Sequence, residues 1–409
     1  MPVEAQLLVA MDRIVGALGI FDRPLVAETL MRAAQRRTRL KDFGVANFQE
    51  PLELLLRDYD QSANLSLFGR ISARWDMLRY LTNLLLLREA EREQPAILEL
   101  PIEKPLFVIG MPRSGTSFMH YLLAQDPNHL VLRCWEAIYP TAGRGMVRSR
   151  PSSRARAVDR RLSWFARLAP ELLGMHPMSA DSPQECTEIM GHVFRSMRFD
   201  TTHEVPAYHR WLQGARLLPA YEFHKRFLKH LQYRRTPGRW VLKSPDHVFA
   251  LDSIRKVYPD AGLVFMHRDP MRVLPSVARL TEVLRRPFTR SVDRLAIGRQ
   301  VTASWIRGAT ILREASAEPA PCGLPILHIH FKQFIQDPLA TVAQVYEHFG
   351  WALTSEQSAR LNTVIATRRN GGYSRHEYRL KDYGVDRGTT ALAFRDYMEH
   401  FGIEAEPEV

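Results

Sequence analysis

Between Gly110 and Ser117 the chain reads Gly-Met-Pro-Arg-Ser-Gly-Thr-Ser, which gathers an arginine, two glycines and three hydroxyls into eight residues. The apolar run Leu106 to Ile109 precedes it, and a helical pattern through Phe118, Leu122 and Leu123 follows. A glycine-containing turn that ends a strand and opens a helix delivers to one point the positive end of the helix dipole and backbone N–H groups that the first helical turn cannot satisfy internally. Negative charge is stabilised there, and phosphate is its natural occupant. The spacing follows G-x-x-x-x-G-K-[ST], except that Thr116 stands where the nucleotide-triphosphatase lysine belongs. Without that lysine the loop is poorly equipped for the β- and γ-phosphates of ATP, whereas Arg113 offers a planar fork of donors inside the loop. A strand-to-helix turn with no ligand is the bland alternative, and the coincidence of arginine, glycines and hydroxyls at one junction argues against it.

Three further segments carry groups able to do chemistry. Trp240-Val241-Leu242-Lys243-Ser244-Pro245-Asp246-His247 ends a strand on a lysine and opens a helix with Asp246 expected as its cap. His247 then falls in the first helical turn, where the dipole keeps an imidazole neutral and able to accept a proton. Asp181-Ser182-Pro183-Gln184-Glu185 offers Glu185 as a rival base, with an equally good reading as an S-x-x-E capping box carrying proline at the first helical position. Glu188, one turn later, is a weaker candidate. Leu263 to Met266 reads as a strand that leads into His267-Arg268-Asp269-Pro270, with Asp269 and Pro270 as N-cap and first helical residue and Ser276 inside the helix. By itself Arg268 reads as one half of a surface ion pair. The histidines His203, His209, His328 and His330 are expected to be structural.

The elements that must hold these groups are legible from periodicity. Leu52, Leu55 and Leu56, then Ile71, Trp75, Leu78, Leu81 and Leu85, repeat at helical spacing, so the first hundred residues read as a helical layer. Prolines 95, 101 and 105 punctuate the chain. From there short apolar runs (Leu106 to Ile109, Trp240 to Leu242, Leu263 to Met266, Ile326 to Phe331) alternate with amphipathic segments, the pattern of a parallel α/β sheet. The long insertion 128–238, rich in Arg, Pro and aromatic residues, is expected to cap the site and shape a pocket. Val342 to Phe349 reads as helix, and the polar stretch from Arg368 to Gly388 as a mobile loop.

The composition of the 409-residue chain, 45% hydrophobic and 24% charged, excludes a disordered or fibrous protein. No run approaches the length of a spanning helix, and Glu4, Asp12 and Arg13 interrupt what a signal peptide needs, so a cytoplasmic protein is expected. Three scattered cysteines, Cys134, Cys186 and Cys322, suit neither a disulfide framework nor a zinc site, and no metal is expected. The net charge of +12 points to an anionic partner without choosing it. Eight arginines lie between Arg144 and Arg167 with Asp159 the only acid, a solvated helix face or a surface that rests on anionic lipid. A P-loop kinase or ATPase and a basic nucleic-acid-binding protein are the alternatives. The first lacks its lysine, and the second rests on charge alone and predicts a steep salt dependence.

On the loop Pro112-Arg113-Ser114-Gly115-Thr116-Ser117 the chain resembles the sulfotransferase family, whose 5′-phosphosulfate loop commonly reads PRSGT followed by Thr or Ser. The resemblance covers at least residues 105–349 and is to the bacterial branch with a helical N-terminal extension. It implies a P-loop-type three-layer α/β fold with a central parallel sheet, an extension over 1–100 and a sulfotransferase domain over 101–409. It also implies 3′-phosphoadenosine 5′-phosphosulfate (PAPS) as cosubstrate, 3′-phosphoadenosine 5′-phosphate as product, and an acceptor hydroxyl. Arg113, Ser114, Gly115, Thr116 and Ser117 then cradle the 5′-phosphosulfate, and HRDPMRVLPS places Arg268 and Ser276 on the 3′-phosphate. Lys243 matches the transition-state lysine. The eukaryotic cytosolic members place a histidine base two residues after that lysine, where this chain has Pro245, and other members use glutamate, so Glu185 and His247 both stand as candidate bases. Arg375 and His376 lie in a segment that resembles the closing loop over the nucleotide, and Leu380 to Val385 resembles its bacterial continuation. Trp135, Tyr139, Trp164, Phe165, Phe194, Tyr208 and Trp211 in the insertion suit a hydrophobic alcohol or lipid-like acceptor.

Overall fold

The structure, a computed structural model, describes residues 24–141, 151–175, 177–233, 235–316, 325–367 and 379–407. Five parallel strands form one sheet: β1 (Leu106–Gly110), β2 (His129–Leu130), β3 (Arg239–Lys243), β4 (Gly262–His267) and β5 (Ile326–His330), in the order β2-β3-β1-β4-β5. The four expected strands form, shifted by a residue or so at their ends. Phe331 belongs to the helix Phe331–Gln336 rather than to β5. The short β2, paired to β3 through His129↔Arg239 and Leu130↔Trp240, is too brief to leave a pattern in the sequence.

Alternation along β1 explains the layers. Leu106 and Val108 face a core built with Phe118, Leu122, Val241, Val264 and Phe334. Phe107 and Ile109 face the larger core, which also takes in Leu30, Leu52, Leu55 and Leu84. Both faces are covered, as an all-parallel sheet requires, so the central strands are apolar throughout instead of alternating with polar residues. The N-terminal helices Ala27–Thr38, Gln49–Gln61 and Leu67–Glu93 therefore share one core with the sheet.

Successive strands are added first to one side of β1 and then to the other, which puts the crossover reversal at β1. Ligands of open parallel sheets bind outside the carboxyl ends of the strands at such a point. The loop after β1, Lys243 at the end of β3 and Arg268 just past β4 all lie there. Val108 pairs with Lys243 across one ladder and Gly110 with Met266 across the other.

The expected mobile loop from Arg368 to Gly388 is corrected where it is described. Leu380–Tyr383 forms a turn of 3-10 helix with Leu380 and Tyr383 buried, and the Tyr383 hydroxyl donates to Glu282 at 2.8 Å. A further helix, Arg387–Phe401, follows and packs on the helices Pro270–Arg285 and Arg294–Ala315. Arg375, His376 and the arginines from 144 to 150 lie outside the described residues. Among the described residues no helix is long and apolar enough to cross a membrane, and Cys134 and Cys186 are buried free thiols.

Candidate active site

The phosphate loop is held by close approaches that only its residue types allow. A Cβ on Gly110 would stand 2.6 Å from the Met266 carbonyl oxygen, so β1 can leave the sheet only on glycine. Gly115 caps the helix Thr116–Leu123 with φ near +92°, and Phe331 packs against it. Ser114 is fully buried and its hydroxyl donates back to the Met111 carbonyl at 2.7 Å. Arg113 adopts the left-handed region, φ +67°, a conformation L-residues enter at some cost. Its carbonyl accepts from Arg268 Nη1 at 2.8 Å, while its own Nε donates to Ser276 Oγ at 3.1 Å and its Nη1 to the Met175 carbonyl at 2.8 Å. Arg113, Arg268 and Ser276, separated in sequence by up to 163 positions, thus meet at one end of the loop.

At the other end stands a buried lysine. Lys243 Nζ donates to Ser117 Oγ at 2.9 Å and to Glu185 Oε1 at 2.5 Å. Its side chain is 4% exposed and that of Glu185 25%, so the carboxylate is the member of the pair that solvent or a substrate reaches. The backbone around Glu185 is sewn to the sheet by Cys186 N donating to the Lys243 carbonyl at 3.0 Å and Gln184 N to that of Leu132 at 2.7 Å. The capping-box reading of this stretch fails: the helix starts at Thr187, and the Ser182 hydroxyl is engaged with Ser179. An isolated bridge between Arg133 and Pro183 keeps the segment extended, which frees the Glu185 side chain to point at Lys243.

His247 is not brought to this site. Past Lys243 the chain makes a 3-10 turn, Pro245–Ala250, capped by Ser244 and not, as expected, by Asp246. The turn folds His247 beneath β1, where Nδ1 meets the Tyr221 hydroxyl at 2.6 Å and the ring lies edge-on to Phe107. Burial, with His224, Lys243 and His120 nearby, holds it well below its usual pKa, so it is neutral as expected but away from the cavity wall. Asp246 instead accepts from Met197 N and Ser196 Oγ, and burial lifts its carboxyl to about 7.

Arg268 makes a fork to a partner that the sequence did not suggest. Its Nε and Nη2 donate to the two oxygens of Glu406 at 2.8 and 2.9 Å, and its guanidinium lies over the Phe331 ring at 3.8 Å. Glu406 N in turn donates to Asp269 Oδ2 at 2.8 Å. As expected, Asp269 caps the helix Pro270–Arg285, and Ser276 lies within it. No sequence signal marks Glu406; it is one of several acids in a short tail.

Both ends open into a single cavity of about 1140 Å³ that includes Lys243, Glu185, Arg268, Ser276 and Glu406 in its wall. Of the seven aromatic residues expected to shape it, only Trp164 and Phe165 line it. Phe194 and Tyr208 are fully buried in the core, and the rest of the aromatic wall comes from Phe68, Trp75, Phe118, Phe288, Trp305 and Phe331, outside the insertion. One wall is a buried charge network. Arg79 donates to Glu188 at 2.6 Å and Asp76 at 3.0 Å, and Arg198 to Asp76 at 2.8 Å with a 2.7 Å ion pair to Glu188. Burial alone would raise the Glu188 carboxyl, yet Arg198 and Arg79 outweigh it and hold the group below its usual value, so Glu188 is a fixed anion rather than a base. His203 and His328 sit in aromatic packing, and His209 is bonded to Asp200 at 2.6 Å, in line with structural roles.

Similarity to known proteins agrees with this arrangement. A family model described as "Sulfotransferase family" matches residues 105–355. The omega-hydroxy-beta-dihydromenaquinone-9 sulfotransferase Stf3 of Mycobacterium bovis is 23% identical over 295 residues, 68% of this chain and 70% of that protein. The crystal structure of sulfotransferase STF9 from Mycobacterium avium superposes with a TM-score of 0.83 at 27% identity, covering 94% of this chain and 98% of the other. For sulfotransferase STF1 from Mycobacterium tuberculosis the values are 0.77 and 29%, with 91% and 99% covered. With the loop, the strand-end lysine and the parallel sheet in place and the family model covering more than half of its length, the chain belongs to the sulfotransferase family and is a sulfotransferase.

Proposed function

We propose that this sulfotransferase takes its sulfuryl group from PAPS and passes it to the hydroxyl of a lipid-like acceptor, with Glu185 as the general base. The observation that carries the reading is the chain Ser117–Lys243–Glu185, which joins the phosphate loop to a carboxylate in the cavity wall. The donor set fits a nucleotide with two separated anionic groups. Arg113, Gly115, Thr116, Ser117 and Lys243 suit the 5′ end, while Ser114 is buried with its hydroxyl on Met111; Arg268 and Ser276, the latter bonded to Arg113, suit a 3′-phosphate, since arginine forks match tetrahedral oxyanions.

PAPS supplies the sulfuryl group and a bisphosphate leaving group. Glu185 takes the proton of the acceptor hydroxyl onto a carboxylate oxygen, so that the oxygen attacks as it loses its proton. Lys243, largely excluded from solvent, neutralises negative charge that builds up as transfer proceeds, and Ser117 and Glu185 fix its ammonium group in place. Arg113 and Arg268 anchor the nucleotide and set its reach. Arg268 must first release Glu406, because its fork cannot serve a carboxylate and a phosphate at once.

The acceptor reading rests on the cavity. Its volume of about 1140 Å³ and its wall of Phe68, Trp75, Phe165, Leu284 and Phe288 suit a large apolar body with one reactive hydroxyl. The menaquinone-derived acceptor in the printed name of the mycobacterial relative supports the same class. The test is thermal stabilisation by adenosine 3′,5′-bisphosphate in the absence of metal, beside ATP with Mg²⁺. The bisphosphate should raise the melting temperature; a response to ATP·Mg²⁺ alone overturns the cosubstrate assignment. Glu185→Gln with retained turnover overturns the base.

A further inference from the structure

The cavity mouth carries an unusual surface. Ile71, Trp164 and Leu173 are 50%, 41% and 56% exposed, and they are three of the seven large apolar side chains that stand well out of the surface among the described residues. Ile71 and Trp164 belong to the cavity wall, and Leu173 is the neighbour of Leu172, which also does. Scattered apolar residues need no explanation, but a cluster at the opening of an apolar cavity marks an interaction site. Behind the rim the rings of Phe68, Phe165 and Phe288 stack, with Phe68 and Phe288 at 5.5 Å and Phe165 and Phe288 at 5.6 Å. An apolar strip therefore runs from the interior to the exposed Trp164, whose ring lies 4.9 Å from that of Phe68.

Charge accompanies it. Helix Pro151–Leu168 turns Val158, Leu162 and Phe165 toward the protein, with Val158 fully buried. Arg156 and Arg160 stand on its exposed face, and Trp164, the next residue of the same every-fourth row, is partly exposed at the cavity edge with its ring 4.9 Å from Phe68. Arg161, itself exposed, lies over the Trp75 ring at 4.4 Å, and Arg154 donates to the Tyr139 carbonyl at 3.0 Å. Asp159 is engaged with Ala180 N at 2.7 Å. Arg74, exposed one turn beyond Ile71, adds positive charge on the helix that carries Ile71. Arginine and tryptophan on the outer face of a helix that covers an apolar channel suit the boundary between headgroups and acyl chains of an anionic bilayer. Nucleic acid would use the arginines but would leave Ile71, Trp164 and Leu173 exposed to water.

We infer that this rim, the Arg156–Arg160–Trp164 stripe together with Ile71 and Leu173, docks the enzyme on an anionic lipid surface with the cavity mouth facing the bilayer. The inference deepens the reading of the acceptor as lipid-like: a water-insoluble hydroxyl would pass from the bilayer into the cavity without crossing water. The positive charge selects the leaflet and the apolar rim sets the depth, so both are required for tight docking.

The experiment is co-sedimentation of the full chain with vesicles of phosphatidylcholine alone and of phosphatidylcholine with phosphatidylglycerol, without acceptor or nucleotide. Binding is expected only to the anionic vesicles, and to weaken as salt rises. Arg156→Glu with Arg160→Glu should lower partitioning on the order of twentyfold or more, given the attraction of each basic residue near such a surface. The charge-matched pair Arg36→Glu with Arg37→Glu, on a helix that does not line the cavity, should lower it far less. Trp164→Ser should weaken binding even at low salt. No binding to anionic vesicles, equal losses for the two charge-reversed pairs, binding to a DNA duplex in place of vesicles, or a Trp164-dependent dimer in their absence each overturns the inference. Stabilisation by adenosine 3′,5′-bisphosphate, measured on the same variants, reports on the nucleotide site separately. Its retention beside lost docking separates the failure of this inference from failure of the cosubstrate assignment.

Discussion

Two carboxylate–cation pairs stand at the two ends of the site, and they are built differently. Glu185 and Lys243 are both fixed by the sheet: the lysine ends β3, and the residue after the glutamate is bonded to that lysine's own carbonyl. Glu406 reaches Arg268 from the short tail after the helix Arg387–Phe401, tied to that region through its own N–H on Asp269. A pair fixed on both sides keeps its geometry through a reaction cycle. A pair fixed on one side can exchange. In the proposed assignment the first is machinery for transfer, whereas the second occupies the position proposed for the 3′-phosphate.

Breaking the first pair should therefore strike turnover. Lys243→Ala is expected to lower kcat by about two to three orders of magnitude, as loss of a preorganised donor to developing charge does. Glu185→Gln should cost about 10²- to 10⁴-fold in kcat with the affinity for adenosine 3′,5′-bisphosphate nearly unchanged, a split readable by steady-state kinetics beside calorimetry. At the second pair the ranking inverts. Arg268→Ala should weaken nucleotide binding about 10- to 100-fold, the worth of charge-assisted hydrogen bonds to phosphate. Glu406→Gln should tighten it by a few fold, because a partly exposed ion pair is worth little. In an Arg268→Ala background the Glu406 substitution should have no effect on affinity; a persisting effect would show that the tail acts elsewhere.

A smaller effect concerns pH. The Asp246 carboxyl lies three residues past Lys243 and burial raises it to about 7, above its ordinary 3.8. The folded state then holds a proton that the unfolded chain releases, so stability falls as pH rises from about 4 to about 7 and levels off above. Asp246→Asn should flatten that fall, raising the melting temperature more at pH 8 than at pH 5; equal shifts at both would refute the assignment.

The meeting of the loop, Lys243, Arg268 and Ser276 at one end of the sheet was legible because sequence-local geometry determines it. The loop after β1, Lys243 and Arg268 with Ser276 each follow a strand by a fixed number of residues, so a strand end recognised in the sequence positions the side chain. The acceptor side follows no such rule. Phe68, Trp75 and Phe288 reach the cavity through helix packing across hundreds of residues, while Trp135, Phe194 and Tyr208, with the same chemistry in the sequence, are spent in contacts elsewhere. His247 lies under the sheet because a 3-10 turn, rather than a full helix, follows β3. The capping box at Ser182 failed because pairing with Arg133 keeps the segment extended.

The left-handed backbone of Arg113 has a further consequence. A conformation that glycine adopts freely is imposed there on a residue with a Cβ, at a cost on the order of 1 to 2 kcal/mol. Arg113→Gly would relieve that cost while deleting the fork that meets Ser276. A search for more heat-resistant variants, made blind to activity, would weigh that relief against the bonds to Ser276 and Met175, and where relief won it would remove a group proposed to hold the nucleotide.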